Sequence, residues 1–214
     1  MLKIYQQTLK KPISFKGIGL HKGKNVNIKI LPAKNDQGII FKRVDLKKNN
    51  IVYADYKNVT SAKLCTTLEN NHGVKVSTVE HLLAAFYIGE IDNAIVEINN
   101  EEVPIMDGSA KDFLDLFKKL ELKQLTKKRK YLKILDKIDL KHENKFISIE
   151  PSEMNFEVQF QLNYDNPVIK DQKNCVNFSY DNLKEVYSSR TFCLFEDIEK
   201  IKKIGLAKGG SLKN

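Results

Sequence analysis

Apolar residues along this chain recur first at every second position and then at helical spacing. The change happens twice, which limits the chain to folds in which sheets are laid down before the helices that cover them. In the first pass Val26, Ile28 and Ile30 alternate, Ile39-Ile40-Phe41 follow Gly38, and Ile51-Val52-Tyr53 form a third β-branched segment. Each reads as a strand. Apolar residues at 79, 82, 83 and 86 then predict a helix over 78–88, opened by the capping-box pattern Ser77-Thr78-Val79-Glu80 and stopped at Gly89. Residues 94–98 read as a buried strand and 104–108 as a turn, and Phe113, Leu116, Phe117 and Leu120 form the stripe of a second helix opening near Ser109.

The second pass follows Lys127-Lys128-Arg129-Lys130, which reads as an exposed linker. Leu132, Ile134, Ile138, Leu140 and residues 146–149 predict a hairpin turning at His142-Glu143-Asn144. Phe156, Val158, Phe160 and Leu162 alternate as one core face, and helical spacing returns at Leu183, Val186 and Tyr187 and again at Ile198, Ile201 and Ile204. The expected class is α+β, with two layered domains, 1–125 and 126–214, each a β-sheet packed with helices. The second is expected to be incomplete, since no amphipathic element follows Gly209-Gly210-Ser211 to cover its sheet, and the chain reads as truncated at its C-terminus.

With 42% hydrophobic and 29% charged residues the chain is not of the disordered class. Its apolar runs fall short of the roughly 18 residues a membrane helix needs, and no secretory pattern opens it, so a cytoplasmic location is expected. Three widely spaced cysteines, Cys65, Cys175 and Cys193, read as reduced thiols. A net charge of +9 points to an anionic partner (nucleic acid, phosphorylated metabolite or membrane surface) or only to a lysine-rich solvated face. Nucleic acid is not the expected partner: an RNA-binding sheet interleaves exposed aromatics with basic residues, whereas Phe156 and Phe160 share their face with Val158 and Leu162.

His72 and His142 sit in polar turns, while His21 and His81 lie in motif-like settings. His81 falls roughly opposite the stripe of its helix, and Glu80-His81 can pair a metal-ligating imidazole with a carboxylate base. The same dipeptide equally fits a helix cap with a surface histidine.

Wider strings separate these readings. Gly17-Ile18-Gly19-Leu20-His21-Lys22-Gly23, Ser77-Thr78-Val79-Glu80-His81-Leu82-Leu83-Ala84-Ala85-Phe86, Ile91-Asp92-Asn93, Glu102-Val103-Pro104-Ile105-Met106-Asp107-Gly108-Ser109-Ala110, Ser189-Arg190-Thr191-Phe192 and Gly205-Leu206-Ala207-Lys208-Gly209-Gly210-Ser211-Leu212 occur in that order. Together they resemble the UDP-3-O-acyl-N-acetylglucosamine deacetylases, zinc amidases of lipid A synthesis in Gram-negative bacteria. The resemblance implies Zn2+ as cofactor with His81 as a ligand, Glu80 as general base and Thr191 as the hydroxyl that meets the oxyanion. It implies substrate contacts from Leu64, Cys65, Lys145 and Phe192. It also implies a small βαβ insert over about 193–214, whose Leu194, Ile198, Ile201 and Leu206 line an acyl passage.

The implied partner is UDP-3-O-acyl-N-acetylglucosamine, met by a monomer that touches the inner membrane surface peripherally. The family's remaining zinc ligands, a histidine and an aspartate on a later helix, have no match in this sequence, and Asn166-Pro167 stands where many members carry His-Pro. The 214-residue chain is therefore expected to be inactive alone, and a catalytically silent paralogue acting as a binding protein is the alternative.

Overall fold

A computed structural model of the protein describes residues 4–153, 156–178, 183–212 and 214. The elements up to the first helix are β1 (Tyr5–Leu9), β2 (Ile13–Ile18), β3 (Asn25–Pro32), β4 (Ile39–Arg43), β5 (Ile51–Tyr53), β6 (Val59–Ser61), β7 (Thr67–Glu69) and β8 (Lys75–Ser77). There follow α1 (Glu80–Ile88), β9 (Ala94–Ile98), α2 (Lys111–Phe117), β10 (Leu122–Lys128), β11 (Ile138–His142), β12 (Lys145–Ile149), β13 (Glu157–Asn163), β14 (Asp171–Asn177), α3 (Lys184–Ser188) and α4 (Phe195–Lys203). The class is α+β. The chain divides into two compact units, Met1–Arg129 with Val186–Asn214, and Lys130–Glu185. No helix among the described residues is long and apolar enough to cross a membrane.

In the first unit a five-stranded sheet runs β2-β3-β9-β4-β5, with β9 parallel to β4 and antiparallel to β3. Strict alternation places Val26, Ile28 and Ile30 in the core while Asn25, Asn27 and Lys29 face out. Leu82, Ala85 and Phe86 of α1 and Phe113, Leu114 and Phe117 of α2 join these strand residues in one hydrophobic cluster. Phe86 stacks on Phe117 with ring centroids 5.0 Å apart, and Phe113 meets Phe15 edge-on at 5.5 Å. A smaller sheet, β6-β7-β8, leads into α1.

A polar knot locks one end of this core. The buried Asn93 side chain accepts the N–H groups of Gln37 and Gly38, both at 2.9 Å, and donates to Gln6 Oε1 at 3.0 Å. Its carbonyl takes the Thr8 hydroxyl at 2.7 Å. Every donor in the knot has an acceptor, which is the condition for burying such a group.

Three expectations are corrected. The basic run is exposed at Lys127, Lys128 and Lys130, and the two units divide after Arg129, but it is not an unpaired linker: Lys127 and Lys128 belong to β10, which pairs with β1, Lys127 bonds Asp36, and Arg129 grips Asp92 through two nitrogens, each at 2.7 Å. The capping box does not form either, since Val79 at the N-cap makes no side-chain bond and Thr78 is turned into the left-handed region at φ +56°. In the second unit β11 pairs with β12 and β13 with β14 as separate two-stranded sheets, so the face predicted as core lies open, with Phe156 54% and Phe160 45% exposed. The turn at 143–144 does form the predicted hairpin, in register from Ile138↔Ile149 to His142↔Lys145.

Two substitutions test which forces hold the first unit. Phe113→Ala removes a fully buried ring and is expected to cost about 3–5 kcal/mol. Asn93→Ala strands two N–H groups and is expected to cost about 2–3 kcal/mol. Urea unfolding followed by circular dichroism reads both, and an Asn93→Ala midpoint equal to wild type would overturn the account of the knot.

Candidate active site

The site is built around the start of α1. Glu80 is its first residue, at the end of the helix where the backbone dipole favours a carboxylate. Freed from capping, its Oε2 accepts the Thr66 N–H at 3.0 Å, which ties it to the loop between β6 and β7. His81 follows. Burial pushes its imidazole below the ordinary range, against the opposing pull of Glu80 and Asp107, so the ring is neutral at pH 7 and has a nitrogen lone pair to offer.

What orients this helix start is a carboxylate that the sequence analysis left without a role. Glu102, 1% exposed, accepts the main-chain N–H groups of His21 at 2.7 Å and Lys22 at 2.9 Å and the Thr78 hydroxyl at 3.1 Å. It thereby joins the Gly17–Gly23 loop to the residue two places before Glu80. Gly19 is required by this packing, because a Cβ there would stand 2.5 Å from Glu102 Oε2. On the other side of the loop Gly209 donates to the Leu20 carbonyl at 2.9 Å, and a Cβ on Gly209 would lie 2.3 Å from the Gly19 oxygen.

The turn at Asp107–Gly108 supplies the other half of the site. Met106 and Gly108 both adopt positive φ, at +56° and +85°, and Asp107 Oδ1 holds the Ser109 N–H and hydroxyl. The Gly108 carbonyl accepts the Thr191 N–H at 2.8 Å, and the Tyr187 carbonyl accepts the Ala110 N–H at 3.1 Å. Thr191 is thus fastened to the turn whose carboxylate acts on His81.

Of the other residues singled out from the sequence, Leu64 is 52% exposed and Phe192 55% exposed, and Cys65 is partly buried on the loop that holds Glu80. Lys145 opens β12 and belongs to the other compact unit. Leu194, Ile198, Ile201 and Leu206 are each partly buried. Among the described residues of 193–214 the one regular element is α4, so the strands of a βαβ insert do not form. Instead Ala207 and Gly205 take positive φ and carry the chain through turns that run against the Gly17–Gly23 loop.

A catalytic zinc takes about three protein ligands and a water. His81 fits as one donor, but no group of three or more His, Cys, Asp or Glu side chains among the described residues is placed to hold a metal ion. The described residues therefore do not complete such a site.

Glu102 and Asp107 carry no periodic or spacing signal. Their cue was membership of the Glu102–Ala110 string that carries the resemblance, which marked both residues without assigning either a role.

Residues 6–214 match the family described as LpxC, UDP-3-O-acyl N-acetylglycosamine deacetylase. Proteins named UDP-3-O-acyl-N-acetylglucosamine deacetylase are similar across nearly the whole chain. That of Nautilia profundicola is 40% identical over 210 residues, covering 98% of this chain and 70% of the relative. That of Syntrophus aciditrophicus is 39% identical over 211 residues, covering 98% and 66%, and that of Legionella pneumophila strain Corby 39% over 215 residues, covering 99% and 70%. By this match over its length the chain belongs to the UDP-3-O-acyl N-acetylglycosamine deacetylase family of hydrolases.

Proposed function

We propose that this chain acts on UDP-3-O-acyl-N-acetylglucosamine, removing the N-acetyl group as acetate in lipid A biosynthesis, as a monomer in the cytoplasm that meets its lipid-bearing substrate at the inner membrane surface. The observation that carries the reading is the pairing at the start of α1: a carboxylate held by the Thr66 N–H beside a neutral imidazole, with Thr191 tied to the turn that faces the imidazole.

Glu80 takes the proton of a water attacking the acetamide carbonyl. Fixed at the helix start, it needs no reorganisation to do so. The Thr191 hydroxyl meets the negative charge that develops on the carbonyl oxygen, because its backbone is fixed to Gly108. His81 would offer one nitrogen to Zn2+, and the ion would supply Lewis acidity. Leu64, Cys65 and Phe192 stand as sugar and acyl contacts, Lys145 as a nucleotide contact, and Leu194, Ile198, Ile201 and Leu206 as lining for the acyl chain.

The donor set favours a second reading, in which the chain binds the UDP-sugar without hydrolysing it. One nitrogen donor among the described residues leaves most of an ion's coordination to water, so zinc affinity of the 214-residue chain is expected to be weaker than micromolar. The discriminating assay measures acetate release with zinc in excess, beside calorimetric binding of the UDP-sugar. Deacetylation predicts that Glu80→Ala lowers release by about 10²–10⁴-fold without changing zinc retention, whereas His81→Ala weakens retention as well. Equal zinc loss in both variants would overturn the division of roles, and binding without release would establish the second reading.

The state of His81 gives a test that needs no turnover. Its ring is expected to titrate below the ordinary imidazole range in proton–nitrogen NMR spectra, because burial disfavours the cation. The unfolded chain then takes up this proton first, so His81 withdraws stability as the pH falls from the unfolded value through the lower folded one. Titration at or above the ordinary range would show that Glu80 and Asp107 outweigh burial.

A further inference from the structure

The first unit carries a helix that the deacetylation chemistry uses only in part. The Thr191 N–H is held by the Gly108 carbonyl at 2.8 Å and the Gly209 N–H by the Leu20 carbonyl at 2.9 Å, and α4 lies between these two anchors. Phe195, Ile198 and Ile201, with Ile204 just past the helix end, recur at every third position. At about 3.6 residues per turn they cover about half of the circumference, and Glu196, Glu199, Lys200 and Lys203 fall on the other half. A helix of nine residues is too short to persist in water on propensity and is ordinarily held by packing of such a face. Here no residue of α4 is buried. Ile198 and Ile201 are partly buried and stand with the acyl lining, whereas Phe195 is 90% exposed and Ile204 60%.

What fits this face is set by its charge and its size. Glu196 and Asp197 lie in the first turn, where the helix dipole favours acids, and Asp197 is taken up by Lys200 at 2.9 Å. Glu199 belongs to the polar half. The C-terminal end is cationic. Lys202 and Lys203 close the last turn, and Lys208 follows on the segment that runs against the Gly17–Gly23 loop. None of these three lysines has an ion-pair partner among the described residues. Lys202 borders the apolar half on the side of Phe195, so its stem can lie along that surface while the ammonium reaches an anion at the edge. Phe195 and Ile204 are too few to supply the roughly 800 Å² per partner of a stable protein interface. A fluid apolar phase edged by anions needs neither that area nor a matching shape.

We infer that α4 is a membrane-docking element: Phe195 and Ile204 enter the surface of a bilayer that carries anionic phospholipid, and Lys202 and Lys208 meet its phosphates, with Lys203 adding to the positive field. The inference rests on the proposed lipid-bearing substrate and names the element by which the chain meets the membrane that holds it. Because Ile198 and Ile201 share the stripe, the acyl chain passes from the bilayer to its lining along one apolar track without crossing water. The anchors at Thr191 and Gly209 keep that track beside the site.

The test is flotation of the 214-residue chain with vesicles, without zinc or substrate. Wild type is expected to bind vesicles of about one part phosphatidylglycerol to three of phosphatidylethanolamine at least about fivefold more tightly than vesicles of phosphatidylcholine. Phe195→Ser with Ile204→Ser is expected to weaken that binding about tenfold or more, and Lys202→Gln with Lys208→Gln about tenfold. All four side chains are exposed, so urea midpoints are expected to match wild type. The chain has no tryptophan, so Phe195→Trp gives a single reporter. Its emission is expected to move to shorter wavelength and to be quenched by bromine on the lipid chains, while the same reporter at the exposed Tyr56 does neither. No binding, equal binding to both vesicles, indifference to either pair of substitutions, or equal quenching at both reporters would overturn the inference. So would a wild-type dimer in light scattering that Phe195→Ser dissociates, since a second copy then covers the face. Should a double variant fail to fold, the two reporters decide. Because no acetate release is measured, failure here leaves deacetylation standing, and failure of deacetylation leaves vesicle binding to be read on its own.

Discussion

The site depends on one buried charge. Glu102 is withdrawn from water, and a carboxylate in that position is tolerated only if its oxygens are occupied by donors of fixed geometry. Three donors from two separate segments meet it, two N–H groups from the glycine loop and one hydroxyl from the residues before α1. The carboxylate thus fixes two backbones relative to each other, which no apolar contact could do with the same directionality.

Other features of the site follow from that placement. Ser77 stays in β8 with its hydroxyl on the Glu101 carbonyl, and Thr78 gives its hydroxyl to Glu102 and takes a left-handed φ, so no capping box forms and Glu80 meets the Thr66 N–H instead. The loop must approach the carboxylate closely, which demands Gly19, and the chain packed over that loop must in turn be glycine at 209. A second turn, at Asp107–Gly108, works by the same means. Its carbonyl and carboxylate act outward on Thr191 and His81, two residues 110 positions apart in sequence. Polar groups with defined directions set the chemistry, and the apolar cluster beneath them supplies the rigidity against which those directions are held.

The second compact unit shows what the same residue types do without such a core. Its strands alternate as regularly as β3 does, yet they pair only as two hairpins within the unit, and the side chains of one predicted core face remain exposed. Periodicity states which residues share a face. What that face meets is a separate matter.

The sequence by itself determined several of the elements and the family. Alternation in β3 and the 79, 82, 83, 86 spacing of α1 are local properties of a chain whose residues lie on one face or another whatever surrounds them. The ordered strings around His21, Glu80, Asp107, Thr191 and Gly209 carried the resemblance that the match over residues 6–214 shows. Only the tertiary structure decided that the start of the basic run pairs as a strand with β1, that the capping box is dismantled, and that Glu102 rather than Glu80 is the buried acid. The physical reason is common to all three. Each is set by a hydrogen-bond or charge partner distant in sequence, and one chain read along its length shows which groups need partners but not which of them the fold brings within 3 Å.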